Sequence, residues 1–534
     1  MRSSGSRRHC WQSWRPTARR SADGHDPSSS RRRGSRLLPM IKRILLTLFA
    51  LLLLLVAAVV VNTLRQGSRQ LEVPLAPPLV VDEKRVAETL AGSLRFRTVS
   101  SYDDARLNAD QFLAFHAYLQ QRFPKAHAAL KREIVGDLSL LYTWPGSDAR
   151  ARPILLMAHQ DVVPIAPGTE ASWQAGPFAG EIKDGFVWGR GAWDDKANLI
   201  SQLESVEMLL ASGFRPRQTV YLAFGADEEV GGHRGAREIA KLLQARSVKL
   251  DFVIDEGLLI TEGIMPGLAP PAALIGVSEK GSMSVLLRVS TAPGHSSMPP
   301  PPGSSAIGMM SAALRRLDDR QLPAAVRGIA HEMFDTLAPE MSGFGRVALS
   351  NLWLFGPIVQ AQLEKGASTN AMLRTTTALT VVHAGNQFNV LPGVAEATVN
   401  YRILPGDTGA QVLEHVRNTV GNERIELKSA PDAYDPPPVS PTESASYQMI
   451  NRTIRSLFPG TVVAPSLMIG GTDSRHFTAI TDNIYRFSPV RARAEDLPRF
   501  HGTNERISVA NLAELVRFYH QLLRNAATAP PPSP

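Results

Sequence analysis

The chain has 534 residues, of which 44% are apolar, so it exceeds what one hydrophobic core usually organises and two folded domains are expected. Its formal net charge of +9 is confined to one end, because residues 1–43 hold twelve Arg or Lys against Asp23 and Asp26. That segment carries +10 and leaves about −1 for the rest of the chain. The near-neutral remainder excludes a nucleic-acid-binding surface.

The first predicted element is a membrane-spanning helix. Residues 44–61 form an apolar run that is interrupted only by Thr47, and Lys42 and Arg43 precede it. A run of about 18 residues is just long enough to cross a bilayer core, and positive charge before it predicts a cytoplasmic N-terminus. We therefore expect an uncleaved anchor over 41–62, with the rest of the chain outside the cytoplasm, on the periplasmic side in a bacterium. A cleaved signal peptide is the alternative.

Residues 1–40 are rich in Arg and Ser and show no apolar periodicity, so we expect them to be disordered. Met40 opens MIKRILLTLFALLLLL, which is typical of the beginning of an anchor, and we suspect that translation starts there. The sole cysteine, Cys10, precedes the anchor. The exported part can therefore form no disulfide of its own.

Residues 79–281 show the pattern of an α/β domain. Helical spacing of apolar residues alternates with short, almost continuously apolar runs that favour strands. The predicted helices are 84–93, 109–123, 197–212 and 235–245, and the predicted strands are 138–143, 153–158, 219–225 and 252–255. This pattern predicts a buried, mostly parallel sheet, in which ligands gather beyond the carboxyl ends of the strands.

Residues 282–430 change to an α+β pattern, with four strands, helices near 305–317 and 411–420, and a long irregular insertion at 320–370. Helix and strand signals resume in 431–526 after a Pro-rich linker. The first domain is therefore predicted to be interrupted by the second. Residues 527–534 are expected to be a solvated tail.

Carboxylates and histidines follow the predicted strand ends in five stretches: LLMAHQDVV, WGRGAWDDK, LAFGADEEVGG, FVIDEG and FHGTNE. Oxygen and imidazole ligands without a thiolate suit Zn²⁺ or a similar divalent ion. The candidates are too many for one four-coordinate site, so two ions are predicted. Taken singly, each residue has an ordinary alternative as a turn aspartate, a charged helix start or a loop histidine.

Two features of these stretches suggest auxiliary roles. In HQD, Asp161 points the same way as His159 and can orient its imidazole. In ADEEVGG, one of Glu228 and Glu229 can hold a metal while the other takes a proton from the attacking water.

The motifs HQD, GRGAWDDK, ADEEVGG, DEG, APGHSS and HGTNE together resemble the co-catalytic zinc metallopeptidase family of aminoacylases, carnosinases, succinyl-diaminopimelate desuccinylase and glutamate carboxypeptidase. The forms DEG and GGTDSRHF resemble its carboxypeptidase S branch. The resemblance covers residues 82–524. It implies a catalytic domain formed by 79–281 and 431–526, interrupted by a ferredoxin-like lid at 282–430.

The resemblance also implies roles for the strand-end residues, with two Zn²⁺ per chain. One zinc would take His159 and Asp255, and the other would take Glu229 and His501. Asp194 would bridge the two ions, and its peptide bond to Asp195 would be cis. Glu228 becomes the general base, and Asp161 the residue that orients the metal-binding histidine.

The same resemblance implies substrate contacts. His295 in APGHSS would donate a hydrogen bond to the oxyanion. In this family that histidine can come from a partner subunit, so a homodimer is an option. Arg402 would bind the carboxylate of the substrate, with Asn389 beside it. Arg475 and His476 in GGTDSRHF would line the pocket.

We therefore predict a metal-dependent hydrolase that cleaves the amide bond before a C-terminal amino acid of short peptides, as carboxypeptidase S does. The alternative is an N-acyl amino acid hydrolase or synthase of the aminoacylase type. A third interpretation, from another class, is a non-catalytic membrane-tethered module that binds peptides.

Overall fold

The computed structural model describes residues 34–528, with side chains described for 39–526. The chain divides into two units, Met1–Val61 and Asn62–Pro534. Helix α1 begins at Gly34, inside the predicted disordered segment 1–40, while residues 1–33 and 529–534 of the predicted terminal segments lie outside the described residues. Its portion Pro39–Arg65 is long and apolar enough to cross a membrane, a test that signal sequences and core helices also pass.

Helices and strands alternate through the described part of the second unit. The helices, including the one that joins the two units, are α1 (Gly34–Arg65), α2 (Glu83–Ser93), α3 (Ala109–Arg122), α4 (Pro124–Ala129), α5 (Lys196–Ala211), α6 (Ala236–Ala245), α7 (Ala306–Asp319), α8 (Gly328–Leu337), α9 (Gly343–Ser350), α10 (Leu352–Leu363), α11 (Ala367–Ala371), α12 (Gly409–Val420), α13 (Ala445–Leu457) and α14 (Val509–Thr528).

The strands, in chain order, are β1 (Lys131–Val135), β2 (Ser139–Trp144), β3 (Ile154–His159), β4 (Glu181–Lys183), β5 (Phe186–Trp188), β6 (Val220–Gly225), β7 (Phe252–Asp255), β8 (Ile260–Thr261), β9 (Ala272–Glu279), β10 (Gly281–Ser290), β11 (Gly294–His295), β12 (Thr376–Ala384), β13 (Val390–Leu391), β14 (Val394–Ile403), β15 (Ile425–Ser429), β16 (Val462–Met468), β17 (Ile484–Arg486), β18 (Arg491–Ala492) and β19 (Arg506–Ser508).

The largest sheet has ten strands in the order β1-β2-β6-β3-β7-β17-β9-β8-β18, with β16 paired to β9. Strands β6, β3, β7 and β17 run parallel, whereas β1 and β2 form an antiparallel edge. Strands β3, β6 and β7 are buried along their whole length, as expected of a sheet covered on both faces. The predicted α/β fold with its mostly parallel central strands is confirmed, and the four predicted strands match β2, β3, β6 and β7.

Alternate side chains of β3 enter two separate cores, because side chains of a strand point to opposite faces in turn. Ile154 and Leu156 belong to the core that includes apolar side chains of α5 and α14. Leu155 and Met157 belong to the core that includes side chains of α6. Helices therefore hold both faces of the strand that ends at His159.

A second, antiparallel sheet has the order β12-β14-β10-β15. Its inward side chains share a core with apolar residues of α7 and α12. The four strands and two helices expected for 282–430 are therefore present. The boundaries of a separate lid domain stay a prediction, because residues 62–534 form one unit.

The 320–370 insertion is helical, which corrects the expectation of an irregular segment. It contains α8, α9, α10 and α11. Apolar residues of α8, such as Met333 and Phe334, pack with Val462 and Ala464 of β16. The helices are short and are separated by glycine and proline, so their period is hard to recognise in the sequence.

Candidate metal centre

The candidate site lies where three parallel strands end. His159 is the last residue of β3 and pairs with Gly225, the last residue of β6. Asp255 is the last residue of β7, and a short 3-10 helix, Glu228–Val230, follows β6. The carboxyl ends of neighbouring parallel strands meet at one edge of a sheet, so these motifs come together as expected.

Two groups of side chains at this edge could each hold a metal ion, and they share Asp194. One group is His159, Asp194 and Glu256, and the other is Asp194, Glu229 and His501; within each group the ligand atoms lie within 4.8 Å of one another. Oδ1 of Asp194 is 2.8 Å from Nε2 of His159, and Oδ2 is 2.7 Å from Nε2 of His501. The structure therefore brings together four of the five predicted ligands, with Asp194 placed between two histidines.

The donor atoms and their charges fit two divalent cations. Imidazole nitrogen and carboxylate oxygen are donors that Zn²⁺ and similar ions accept. Oε1 of Glu229 is buried and finds no hydrogen-bond partner among the described residues. Burial lowers the pKa of His501, but hydrogen bonds to Asp194 and Glu229, with their charges, outweigh it and raise that pKa to about 10. The cluster therefore favours positive charge.

The predicted ligand Asp255 lies outside both groups, and the neighbouring Glu256 takes its place. Both carboxylate oxygens of Asp255 accept backbone N–H groups, Oδ1 from Glu256 and Oδ2 from Ser474, each at 2.9 Å. The backbone then turns at Gly257, where φ is +132°. The geometry favours Glu256 over Asp255, because Asp255 is occupied in holding the turn.

Asp161 contacts both the histidine and the glutamate pair. Nδ1 of His159 donates to the backbone oxygen of Asp161 at 2.9 Å, while the nearer carboxylate oxygen is 3.4 Å away. That carboxylate accepts the N–H groups of Glu228 and Glu229, both at 3.1 Å, and the hydroxyl of Ser100 at 2.7 Å. Asp161 thus directs Nε2 of His159 toward Asp194 through its main chain and fixes the Glu228–Glu229 turn through its side chain.

Asp194 is held in place by Glu505, whose role was not predicted from the sequence motifs. The Asp194–Asp195 peptide bond is cis, as the family resemblance implied. Glu505 is fully buried, and its Oε1 accepts the N–H groups of Trp193 at 2.8 Å and of Asp194 at 3.1 Å. Its other oxygen binds Arg190 at 2.6 Å, and Arg190 also donates to the backbone oxygen of His501. Glu505 closes the HGTNE motif, which is the only sequence signal for this role.

Glu228 lies beside these groups without belonging to either. Burial comes first among the causes that raise the pKa of Glu228 well above its usual range, and the charges of Asp473 and Glu229 add to the rise. A carboxyl group with a raised pKa is suited to accept a proton and return it.

His295 and Asn389, two of the predicted substrate residues, lie close together at a two-stranded ribbon. His295 lies on β11, which pairs with β13, and Ser296 donates its N–H to the backbone oxygen of Asn389 at 3.0 Å. His295 is exposed, and its Nδ1 lies 2.8 Å from Oγ of Ser297. Its hydrogen bonds are therefore local, in contrast to those of the metal-ligand groups.

The predicted arginines lie on two different elements. Arg402 is an exposed residue of β14, opposite Ser282 of β10. Arg475 donates to the backbone oxygens of Thr472 at 2.5 Å and Gly231 at 2.7 Å, and its guanidinium lies 4.9 Å from the ring centre of Tyr434. Arg475 therefore ties its loop to the turn that carries Glu228.

Tyr434 and His476 complete this side of the site. Burial raises the pKa of Tyr434, and the charges of Arg475 and Arg402 oppose that rise. Sequence reasoning missed Tyr434, which follows no motif. Nε2 of His476 lies 3.2 Å from the backbone oxygen of Gly231, and burial, with the charge of Arg475, lowers the pKa of His476 to about 3.

A parallel sheet that ends in two ligand groups sharing one carboxylate is typical of metal-dependent hydrolases that use two ions. Residues 155–525, more than half of the chain, match the sequence profile of peptidase family M20/M25/M40. The chain belongs to this family. The predicted class of metallopeptidase or amidohydrolase is therefore confirmed.

The similar proteins agree with this assignment. The chain is 44% identical over 457 residues to the N-fatty-acyl-amino acid synthase/hydrolase PM20D1 of Xenopus tropicalis, covering 84% of this chain and 88% of the relative. It is 39% identical over 477 residues to the probable carboxypeptidase S-like 2 of Dictyostelium discoideum, covering 88% and 91%.

The solved structures show the same fold. The M20 family metallo-carboxypeptidase Sso-CP2 of Sulfolobus solfataricus matches with a TM-score of 0.60 at 16% identity, covering 84% of this chain and all of that one. Human carnosine dipeptidase 1 matches with a TM-score of 0.60 at 14% identity, covering 84% and 97%.

Proposed function

We propose that this chain is a membrane-anchored, two-zinc hydrolase that cleaves the amide bond between an acyl group and a C-terminal amino acid. The observation that carries the proposal is the pair of ligand groups that share Asp194, with Glu228 beside them. His159 and Glu256 would hold one Zn²⁺, Glu229 and His501 the other. A similar Bacillus subtilis protein, matching with a TM-score of 0.50, is described as a dinuclear metal-binding peptidase.

Bound ions would supply Lewis acidity that polarises the scissile carbonyl and acidifies a water molecule. The residues of the chain would then carry the proton and position the substrate. Glu228 takes the proton from the attacking water and delivers it to the leaving amine nitrogen, which prevents the tetrahedral adduct from returning to substrate. His295 donates a hydrogen bond to the oxygen that becomes negative. Arg402 pairs with the carboxylate of the amino acid, and Asn389 contacts it.

The acyl group has two candidates, and each is supported by the name of one of the two relatives described above. The frog relative is named for N-fatty-acyl amino acids, which supports a long apolar acyl group. The Dictyostelium relative is named for carboxypeptidase S, which supports a short peptide. We propose the N-acyl amino acid as the first candidate substrate, because the frog relative is 44% identical to this chain and the Dictyostelium relative is 39% identical. A substrate screen of the purified chain with N-oleoyl, N-acetyl and peptidyl derivatives of one amino acid separates the two.

The remaining features of the proposal concern location and assembly. Lys42 and Arg43 before the apolar run support a cytoplasmic N-terminus for α1 and a catalytic unit outside the cytoplasm. Residues 282–430 would act as a lid that carries His295 and Arg402. A homodimer would let the lid of one subunit reach the site of the other.

Replacement of Glu228 tests the catalytic core of the proposal. Glu228→Gln keeps the shape of the side chain and removes its ability to take a proton, so turnover should fall by about 10²–10⁴-fold. Elemental analysis should still find two metal ions per chain. Glu238→Gln, on the exposed part of α6, is the matched control and should leave turnover unchanged. Full activity of Glu228→Gln would remove Glu228 from the mechanism.

A further inference from the structure

An exposed apolar surface lies within the 320–370 insertion, on α9 and α10. We call residues 343–363 the α9–α10 hairpin. Helix α10, with the sequence LWLFGPIVQAQL, contains no charged residue, and none of its side chains is buried. Phe344, Trp353 and Ile358 are 65%, 61% and 61% exposed. Large apolar side chains grouped on a surface usually mark a contact with another apolar body.

The hairpin is fastened to the residues that directly follow the apolar run 44–61. Nδ2 of Asn62 donates to the backbone oxygen of Ser350 at 2.6 Å and lies 3.1 Å from Oδ1 of Asn351. Nδ2 of Asn351, whose side chain is fully buried, donates to the hydroxyl of Thr63 at 2.8 Å. Gln66 adds a bond to the backbone oxygen of Ser350 at 3.2 Å. The beginning of α10 is therefore held at the point where the apolar run ends.

The connection of this surface to the end of the apolar run indicates what covers it. Twenty-seven residues, Pro39–Arg65, are long and apolar enough to cross a membrane. At about 1.5 Å per residue they extend about 40 Å, which is the thickness of a bilayer with its headgroups. If the apolar run occupies the hydrocarbon core, Asn62 and Gln66 lie at the headgroup level, and so does whatever they bind.

We infer that the α9–α10 hairpin is a membrane-contacting surface, which places Phe344, Trp353 and Ile358 in the headgroup–acyl boundary of the bilayer that α1 spans. Apolar helices in that boundary are buried by about 5–10 Å, and tryptophan is enriched there because its ring is apolar and its N–H needs a partner. Nε1 of Trp353 has such a partner in Oδ1 of Asn351, at 3.2 Å. The hairpin gives the catalytic unit a second attachment and a fixed orientation on the membrane.

The inference rests on the membrane-anchoring part of the proposed function, and single-cysteine labelling tests both separately. In a Cys10→Ser background, Trp353→Cys and Ile358→Cys carry an environment-sensitive nitrobenzoxadiazole label. Phe388→Cys is the matched control, because Phe388 is a 94% exposed apolar residue between β12 and β13. The full chain is reconstituted into phosphatidylcholine vesicles with and without nitroxide-labelled lipid.

Labels at 353 and 358 should shift to shorter emission wavelength and be quenched several-fold more than the label at 388. Equal quenching at all three positions in protein that floats with the vesicles overturns the inference and leaves the anchor intact. A blue shift without lipid quenching also overturns it and points to a second copy of the chain. Protein that does not float overturns the anchor as well.

A second measurement needs no label. Brominated lipid should quench part of the native tryptophan fluorescence of the full chain, and Trp353→Phe should remove that part. Quenching that is unchanged by Trp353→Phe contradicts the inference.

Discussion

Two of the metal-ligand candidates, His159 and Asp194, and two of the substrate-side residues, His295 and Arg402, are held in very different ways. His159 and Asp194 are buried at the ends of covered strands or in loops with several hydrogen bonds. His295 and Arg402 are exposed residues of the smaller sheets. His159 and Asp194 are thus fixed in advance by the core, whereas His295 and Arg402 can be replaced without disturbing it. We expect substitutions in the first region to remove metal or stability, and those in the second to alter turnover or substrate affinity alone.

The largest expected effect comes from the neighbouring acids Glu256 and Asp255. Glu256→Gln replaces one carboxylate oxygen of the proposed metal ligand with an amide nitrogen and removes its charge, so metal affinity should fall by more than about 10²-fold. Replacement of a residue that only supports a ligand usually lowers metal affinity by about 10–100-fold. Elemental analysis after dialysis should find close to one ion per chain, with hydrolysis lost.

Asp255→Asn is the matched comparison. One amide oxygen still accepts a backbone N–H, and the other bond is lost, so the free energy of unfolding should fall by about 1–3 kcal/mol. Metal content should stay at two ions per chain. The opposite result, metal loss in Asp255→Asn and retention in Glu256→Gln, would restore Asp255 as the ligand.

Asp255 and Glu256 also show which part of the site could be predicted from the sequence and which part could not. Covered parallel strands leave a recognisable apolar run, so the ends at His159, Glu229 and Asp255 could be found from the sequence. The choice between Asp255 and Glu256 depends on how the chain turns at Gly257 and on which carboxylate the backbone of Ser474 occupies. Which of the two carboxylates faces the metal and which binds backbone N–H groups is decided by the folded chain.

Residues that act through backbone groups were the hardest to predict. Glu505 supports Asp194 through main-chain N–H groups, and Tyr434 packs its ring against the guanidinium of Arg475. Neither contact can be predicted from the spacing of residues in the sequence. The helices of the insertion were missed because each is too short to show a sustained period.

His295→Ala should have the next largest effect. Loss of a donor to the developing oxyanion typically lowers kcat by about 10²–10³-fold. Metal content and the unfolding midpoint should not change, because His295 is exposed and bonds only locally. His383→Ala, an exposed residue of β12, is the control. A change in metal content with His295→Ala would show that the two regions are coupled.

Arg402→Lys should act on substrate affinity. Lysine keeps the charge but loses the two-pronged pairing with a carboxylate, and a bond to a charged group contributes about 1.5–3 kcal/mol, so kcat/KM should fall by about 10–100-fold, mostly through KM. Arg288→Lys is the control, because Arg288 is a half-exposed residue of the same sheet paired with Glu396. An effect confined to kcat would contradict a carboxylate-binding role.

The smallest expected effect is a pH dependence of stability in the region of the large sheet. His520 lies on α14 and is 8% exposed; burial, with the charge of Arg524, lowers its pKa to about 4. The folded state therefore holds this histidine neutral, while the unfolded chain protonates it below about pH 6.5. Its contribution to stability is complete above pH 6.5 and is lost as the pH falls toward 4. Thermal unfolding of His520→Gln should show a smaller loss of Tm between pH 7 and pH 4.5 than the unsubstituted chain. Equal slopes for His520→Gln and the unsubstituted chain would mean that His520 gains a proton in the folded state as readily as in the unfolded one.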